Sequence, residues 1–523
     1  MESPLTPLEF MRRARRLYGD REAVVDGADR WTYSQFFDRC DRWSAALQAL
    51  GVKQGDRVAY IAPNTHAQLE SFYAVPQIGA VIVPINFRLS SQEISYLITH
   101  SGATVVCAAA THLDIVDNIR NELTTVRHFV ALEQARTGWG DYDTLIDSAK
   151  AEPDRPSINE RDLLAINYTS GTTSRPKGVM ITHRNAWVNA VGTMIHFPLT
   201  CGDRYLWTLP MFHANGWTFV WIVTAVGATH VCLRKVDPGQ IIPLVRDERI
   251  SALCAAPTVL IGLAHAPEAL RAEAPAGVRV LTAGAAPAAA TIDAVEGGLG
   301  WTITQAYGLT ETAPFITICE PRPGHATLPA EERAAVKARQ GVELITSGEL
   351  KVVAESGEEV PHDGASLGEI VVRGNVVMKG YFEDPEATAL AIRDGWFHTG
   401  DAAVVHPDGY AEIRDRIKDV IISGGENISS IEVESMLLRH PAVQEAAVVG
   451  MPHDRWGEAP HAFVVLKVGA DTTPESLREF SRANLAHFKT PHSFTVVPEL
   501  PKTATGKIQK YVLRGGRTNL SAQ

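Results

Sequence analysis

Cysteine is scarce: six thiols in 523 residues, at positions 40, 107, 201, 232, 254 and 319, with no Cys-x-x-Cys pair. That spacing excludes a zinc ribbon and offers no disulfide framework. Most of the six sit among apolar neighbours, as small buried side chains in a reducing compartment do. Long hydrophobic runs are missing as well. The most apolar stretch, Phe219 to Leu233, falls short of the roughly 18 residues a membrane helix needs and contains His230, so no stable membrane insertion is expected. Arg12, Arg13, Arg15 and Arg16 have no apolar segment behind them, which argues against a secretory signal. The expected location is the cytoplasm. Positive charge is in deficit, with 49 Lys and Arg against 60 Asp and Glu and a net charge of −11. Nucleic acid is therefore not an expected partner. The deficit lies in the N-terminal part, because after Glu499 come Lys502, Lys507, Lys510, Arg514 and Arg517 with no acidic residue. Internal repeats and low-complexity tracts are absent.

What is present is length and alternation. A chain of 523 residues exceeds one hydrophobic core and predicts two or more domains. In the first 150 residues helical and strand periods alternate. A helix over Phe37, Cys40, Trp43, Leu47 and Leu50 is capped by Ser34 and stopped by Gly51 in this reading. Strands at Arg57–Ile61, Val81–Ile85 and Thr104–Ala108 interleave with helices near Ala67–Ile78 and Gln92–Thr99, which indicates α/β layers on a largely parallel sheet. Strands at Ala252–Ala256 and Val278–Thr282 continue the pattern. From about 341, short strands between Gly, Asp and Pro turns (349–353, 368–373, 409–413) predict a small antiparallel β subdomain. Beyond Arg416 the alternation resumes, with a helix at Ile431–Arg439 and strands near Val443–Val449 and His461–Leu466. The expected fold is α/β: a large N-terminal domain, 1–416, of layered α/β subdomains plus the antiparallel unit, then a small α+β C-terminal domain, 417–523.

Residues 168–178, Tyr-Thr-Ser-Gly-Thr-Thr-Ser-Arg-Pro-Lys-Gly, carry the strongest chemical signal. Hydroxyls, glycines and one lysine, held between the strand-like Leu163–Ile166 and Gly178–Ile181, suit a polyanion cradle. It is not a Walker loop. From Gly171 that motif would need a second Gly where Pro176 stands, and Gly506-Lys507 continues with Ile508.

Four other segments are unusually polar: Gln305-Ala306-Tyr307-Gly308-Leu309-Thr310-Glu311, Gly395 to Asp401, Asp415-Arg416-Ile417-Lys418-Asp419, and Pro501 to Lys507. In this order and spacing they resemble the adenylate-forming superfamily of acyl-CoA synthetases, peptide-synthetase adenylation domains and luciferases, over nearly the whole chain. The resemblance implies that Thr169, Ser170, Gly171, Thr172, Thr173 and Lys177 hold the ATP β- and γ-phosphates. It implies that Gly284, Ala285 and Ala286 line the adenine pocket, that Tyr307 beside Gly308 stacks on adenine, and that Thr310 touches the phosphates. Glu311 would coordinate Mg²⁺, which needs few protein ligands because it keeps waters and ATP oxygens. Asp401 and Arg416 would bind the ribose hydroxyls. Lys507 would be the catalytic lysine, stabilising charge between the acid and the α-phosphate. Lys418 would be the hinge of a mobile C-terminal domain, Gly424 and Gly425 would line the pantetheine channel, and His213 would stand beside the acyl tunnel.

The branch implied is a free-standing AMP-forming acyl-CoA ligase. No carrier-protein domain is expected to follow the C-terminal domain, the stretch from Gly368 to Asp401 is compact, and residues 212–217 and 373–381 look like enzymes for short- to medium-chain or substituted propionic acids. Its substrates would be ATP, a carboxylic acid and CoA. Two alternatives stand beside it: an acyl-AMP ligase loading the phosphopantetheine of a carrier protein, and a non-catalytic adenylate-binding regulator. A homodimer is compatible with all three.

Overall fold

The computed structural model describes residues 2–149, 152–169, 176–423, 426–502 and 508–515. Among the described residues, four sheets organise the chain. The first has eight strands, and Arg57–Ile61, Val81–Ile85, Val105–Ala108 and His128–Ala131 run parallel at its centre. Every residue of Val81–Ile85 is buried, as parallel strands covered on both faces require. Leu163–Tyr168 joins this sheet beside Val81–Ile85 and turns back as the antiparallel Gly178–Thr182. The neck of the hydroxyl-rich loop is thus a β-hairpin. Gly380–Tyr381 pairs with its outer strand and arrives from two hundred residues downstream in the chain.

The second sheet has nine strands and a parallel core of Arg204–Leu206, Ala252–Ala255, Arg279–Thr282 and Thr302–Gly308. Glu22–Asp26 belongs here, paired with Thr229–Val231, so the first 150 residues are shared between two sheets. The third sheet, five strands within 349–416, is the expected antiparallel unit, and the fourth is drawn wholly from residues 421–496.

Several boundaries differ from expectation. The cap of the helix Tyr33–Ala49 is Thr32, not Ser34. Thr32 is extended, its side chain accepts from the Gln35 amide, and Gln35 accepts from the Thr32 amide, a reciprocal capping box. The helix expected over Ala67–Ile78 ends at Ala74, because Pro76 has no N–H to continue it, and a 3₁₀ turn follows. The strand expected at Gly409 starts at Ala411, since Gly409 forms the turn at φ +84°. In the fourth sheet Val443–His453 and Gly457–Leu466 form a longer hairpin than Gly450 and Pro452 suggest. Val443–His453 is an edge strand, and an edge tolerates a proline that donates no ladder hydrogen bond.

Two buried histidines predict an acid-sensitive fold. His230 Nδ1 accepts from the Trp207 indole at 3.2 Å and its Nε2 meets the Thr224 hydroxyl at 3.1 Å, so a second ring proton would point at another N–H. His183 starts the helix His183–His196, where positive charge is disfavoured. Burial depresses His230 to about 3 and His183 to about 4, against 6.5 when exposed. Between those values and pH 6.5 the unfolded chain binds protons that the folded chain refuses. Stability is therefore whole above pH 6.5 and falls as the pH drops below it, by about 1 kcal/mol per histidine per unit. His66, which burial would lower but Asp26 raises overall, offsets part of that loss. The urea midpoint is expected to be lower at pH 5 than at pH 7.5, and an unchanged midpoint would contradict this account.

Candidate active site

The polar residues of the distant motifs meet where the first three sheets adjoin. Asp401 lies on Trp396–Val405 directly opposite Arg416 on Ala411–Arg416, in antiparallel register. The Arg416 Nε donates to Asp401 Oδ1 at 2.8 Å, and the Tyr307 hydroxyl donates to Asp401 Oδ2 at 2.7 Å. Asp401 is buried, so both of its oxygens are matched by donors. Burial first, then the Asp401 charge, pushes the Tyr307 phenol well above its ordinary range and keeps it a donor. The Asp401 charge, before any other cause, raises Arg416.

Tyr307 ends the strand Thr302–Gly308, and Gly308 is required there. A Cβ at that position would stand 1.9 Å from the Pro314 carbonyl oxygen of the neighbouring strand segment. Thr310 and Glu311 follow in a 3₁₀ turn, Thr310–Thr312. The Glu311 backbone oxygen accepts from the Met378 amide at 2.8 Å, and its Oε1 accepts from the Tyr381 hydroxyl at 2.9 Å. Lys177 closes the circle. Its Nζ lies 4.8 Å from the centre of the Tyr381 ring, a cation–π contact, and its backbone oxygen accepts from the Thr169 amide at 3.1 Å. Tyr381 thus links Lys177 to Glu311. It occurs in a sequence motif noted above but carries no role there, because its two partners lie 204 and 70 residues away.

Gly284, at φ +87°, follows the strand Arg279–Thr282. Gly284 and Ala285 are exposed and Ala286 is half-buried, a small-residue ledge at the strand's end. A Cβ on Gly284 would reach 3.6 Å from the Trp217 ring. Trp217 belongs to an unusual turn: Ala214, Asn215, Gly216, Trp217 and Thr218 all have positive φ, from 36° to 66°. Left-handed backbone costs about 1–2 kcal/mol per non-glycine residue, so the surroundings must impose it. Trp207 packs so closely under Gly216 that a Cβ would stand 2.6 Å from its ring. Asn64 clamps the approach, donating to the Trp207 and Leu209 carbonyls and accepting from the Met211 amide at 2.8 to 3.0 Å. Half-buried His213 precedes the turn. Near it lies a small cavity of about 10 Å³, room for one water molecule, lined by Ala214, Asn215, Thr218, Asn167, Thr310 and Ala313, among others.

Lys418 lies two residues past Arg416, and burial first among its causes lowers its pKa. Ser170, Gly171, Thr172, Thr173, Gly424, Gly425 and Lys507 lie outside the described residues. The structure therefore brings together Thr169, Lys177, Tyr307, Gly308, Thr310, Glu311, Asp401 and Arg416. Asn64 and Tyr381 are its additions. Among the described residues no helix is long and apolar enough to cross a membrane, and no cluster of three or more His, Cys, Asp or Glu side chains could hold a metal.

A family model described as AMP-binding enzyme matches residues 10–382, and a second, AMP-binding enzyme C-terminal domain, matches residues 432–507. Similar curated proteins include 4-hydroxybutyrate–CoA ligase 2 of Metallosphaera sedula, 44% identical over 98% of this chain and 94% of that one. The 2-methylpropanoate–CoA ligase CCL4 of Humulus lupulus is 41% identical over 98% and 95%. Among solved structures, the anthranilate CoA ligase AuaEII in complex with anthranoyl-AMP is similar, with a TM-score of 0.89, 25% identity and 98% coverage of both chains. ATP-bound MatB from Rhodopseudomonas palustris has a TM-score of 0.85 at 28% identity, again over 98% of both chains.

Proposed function

This chain belongs to the AMP-binding enzyme family and is an AMP-forming acid–thiol ligase, and from that premise we propose that it activates a short aliphatic carboxylic acid and passes the acyl group to CoA. The observation that carries the residue assignments is the convergence of Tyr307, Asp401 and Arg416 beside Glu311, from three separate segments. A buried carboxylate with a fixed guanidinium is the chemistry that reads a pair of ribose hydroxyls.

In the proposed first step, an acid carboxylate oxygen attacks the α-phosphorus of ATP and the bond to the bridging oxygen breaks, releasing pyrophosphate. Thr169, Ser170, Gly171, Thr172, Thr173 and Lys177 hold the departing phosphates, with Lys177 braced over Tyr381. Thr310 meets the phosphates from the opposite side. Glu311 has one oxygen engaged by Tyr381, and a single hard carboxylate oxygen fits Mg²⁺, which would neutralise phosphate charge when bound. Gly284, Ala285 and Ala286 form the adenine ledge with the Tyr307 ring. Lys507 stabilises the negative charge gathered at the α-phosphate. In the second step the CoA thiolate attacks the acyl carbon and AMP leaves, with Gly424 and Gly425 lining the thiol's path. A thiol is already partly ionised near neutral pH, so positioning can suffice without a dedicated base. The reading gives two bodies, 1–416 and 417–523, that turn about Lys418 between the steps. The confinement of the fourth sheet to residues 421–496 supports it. Six free cysteines support a reducing, cytoplasmic setting.

The acid class rests on relatives whose names include 4-hydroxybutyrate, 2-methylpropanoate, butyrate and acetate. A pyrophosphate-release screen over C2–C16, aromatic and sulfur-containing acids, run with CoA and separately with a phosphopantetheinylated carrier protein, tests the reading. The expected result is turnover of C2–C6 acids with CoA. Thioester on the carrier alone would replace CoA as acceptor.

A further inference from the structure

We propose that Tyr381 is a positioning residue that makes the nucleotide site selective for Mg²⁺ over larger cations. Its hydroxyl takes one oxygen of Glu311 and leaves the other for the metal that accompanies ATP, while its ring holds Lys177. This rests on the nucleotide-site reading above and deepens it.

Tyr381 is 9% exposed, and its backbone is fastened on several sides. Gly380 and Tyr381 pair with Met180 and Val179 of the strand that follows Lys177. The flanking Lys379 and Phe382 amides donate to the Met180 and Gly178 carbonyls at 3.0 and 2.7 Å. The Tyr381 amide donates to the Thr388 hydroxyl at 2.9 Å. Three residues earlier, the Met378 amide donates to the Glu311 carbonyl at 2.8 Å. Residues 378–382 are thus a strap, tied at once to the neck of the hydroxyl-rich loop and to the turn that carries Glu311. From that strap the Tyr381 phenol donates to Glu311 Oε1 at 2.9 Å, and the Lys177 ammonium stands 4.8 Å from the ring centre. The other Glu311 oxygen accepts no hydrogen bond among the described residues.

A carboxylate binds a metal through one oxygen or through both. Mg²⁺ takes few protein ligands and keeps its waters, whereas Ca²⁺ gathers more oxygens and readily uses both atoms of one carboxylate. A donor fixed on Oε1 competes with the second of those bonds and spares the first. Deleting the hydroxyl frees Oε1, so a larger cation regains a second ligand while Mg²⁺ only loses the orientation of its one oxygen. Removing a group that orients a ligand in this way costs about 10–100-fold in metal affinity. The ring acts separately. An ammonium is drawn to the negative face of an aromatic ring, not to its hydroxyl, so phenylalanine keeps the hold on Lys177 and leucine does not. A role in packing alone would weaken ATP binding by the same factor with every metal.

The test is calorimetric titration of ATP into the full chain in excess Mg²⁺ and, separately, in excess Ca²⁺. Acid and CoA are left out, so binding is read without turnover. Wild-type protein is expected to bind ATP more tightly with Mg²⁺. Tyr381→Phe should lose about tenfold or more of the affinity seen with Mg²⁺ and a smaller factor of that seen with Ca²⁺, so that its metal preference narrows. Tyr381→Leu should bind ATP more weakly still with both metals, and that extra loss should vanish in a Lys177→Met background. Equal affinities with the two metals in wild-type protein, or an unchanged preference in Tyr381→Phe, would overturn the proposal. Tyr381→Phe that binds ATP with neither metal has lost the site rather than its selectivity and would overturn it as well. Tyr381→Leu no weaker than Tyr381→Phe would overturn the part played by the ring. No ATP binding by wild-type protein with either metal would instead remove the nucleotide-site reading on which the proposal rests.

Discussion

Replacing Lys507 with alanine is expected to slow acyl-adenylate formation by about 10²–10³-fold while thioester formation from preformed acyl-AMP survives. The asymmetry follows from where charge develops. In adenylation a carboxylate and a phosphate, both negative, are forced together at one phosphorus, and a fixed ammonium is worth most where water is excluded. In the second step the thiolate meets a neutral acyl carbon and the charge moves onto a phosphate already bound. The neighbouring lysines cannot substitute. Lys502 is paired with Glu445 at 2.6 Å, and Lys510 with Glu434 at 2.8 Å. Pyrophosphate release measures the first half-reaction, and AMP release from synthetic acyl-AMP and CoA measures the second. Equal losses in both would make Lys507 a structural residue and remove the case for two working orientations.

Asp401→Ala should damage binding and folding together. Its carboxylate holds Arg416 through one oxygen and Tyr307 through the other. Removing it leaves a half-buried guanidinium without its main counter-charge and a half-buried phenol without an acceptor. Breaking such a half-exposed pair from one side costs about 1–2 kcal/mol, between the values for surface and buried pairs, and kcat/KM for ATP should fall by about 10²-fold or more as the ribose contact goes with it. Asp401→Asn keeps an acceptor for Tyr307 and should recover much of the stability but little of the nucleotide affinity. Thermal unfolding and ATP titration of the steady-state rate separate the two losses. An alanine variant with unchanged melting and unchanged kcat/KM for ATP would show that the Asp401–Arg416 pair is neither a support nor a ribose site.

Much of this site was legible in the chain, and the exceptions share a cause. Glu311, Asp401 and Arg416 stand in short polar runs between apolar strands, where their chemistry is visible without a partner. Arg57–Ile61 and Val81–Ile85 were readable to the residue because a buried parallel strand is a continuous apolar run bounded by turns. Tyr381 reads as an ordinary aromatic until Gly380–Tyr381 pairs with the hairpin at 178–182. Asn167 and Thr218 sit inside apolar stretches where one polar residue looks incidental, and only folding brings them together on the wall of a water-sized cavity. The left-handed turn at 214–218 has one glycine among five residues, so local preference argues against it. Trp207 and Asn64, distant in sequence, impose it. The helix cap moved from Ser34 to Thr32 for a related reason: two candidate caps stand side by side, and only Thr32 has a reciprocating Gln35 three residues on.

The polar contact between strand Ala411–Arg416 and helix Ser430–Leu437 has a consequence for the tempo of the enzyme. Buried Asp415 accepts from the Ser430 amide at 2.8 Å and from its hydroxyl at 2.5 Å, and Lys510 reaches the same hydroxyl. Asp415 precedes Lys418 in the chain, whereas Ser430 and Lys510 follow it. Any rotation about Lys418 therefore has to pull these groups apart, and the return has to remake them. In the proposed rotation about Lys418 the three residues would act as a latch, and its release, rather than bond chemistry at phosphorus or carbon, would set the interval between one acyl transfer and the next.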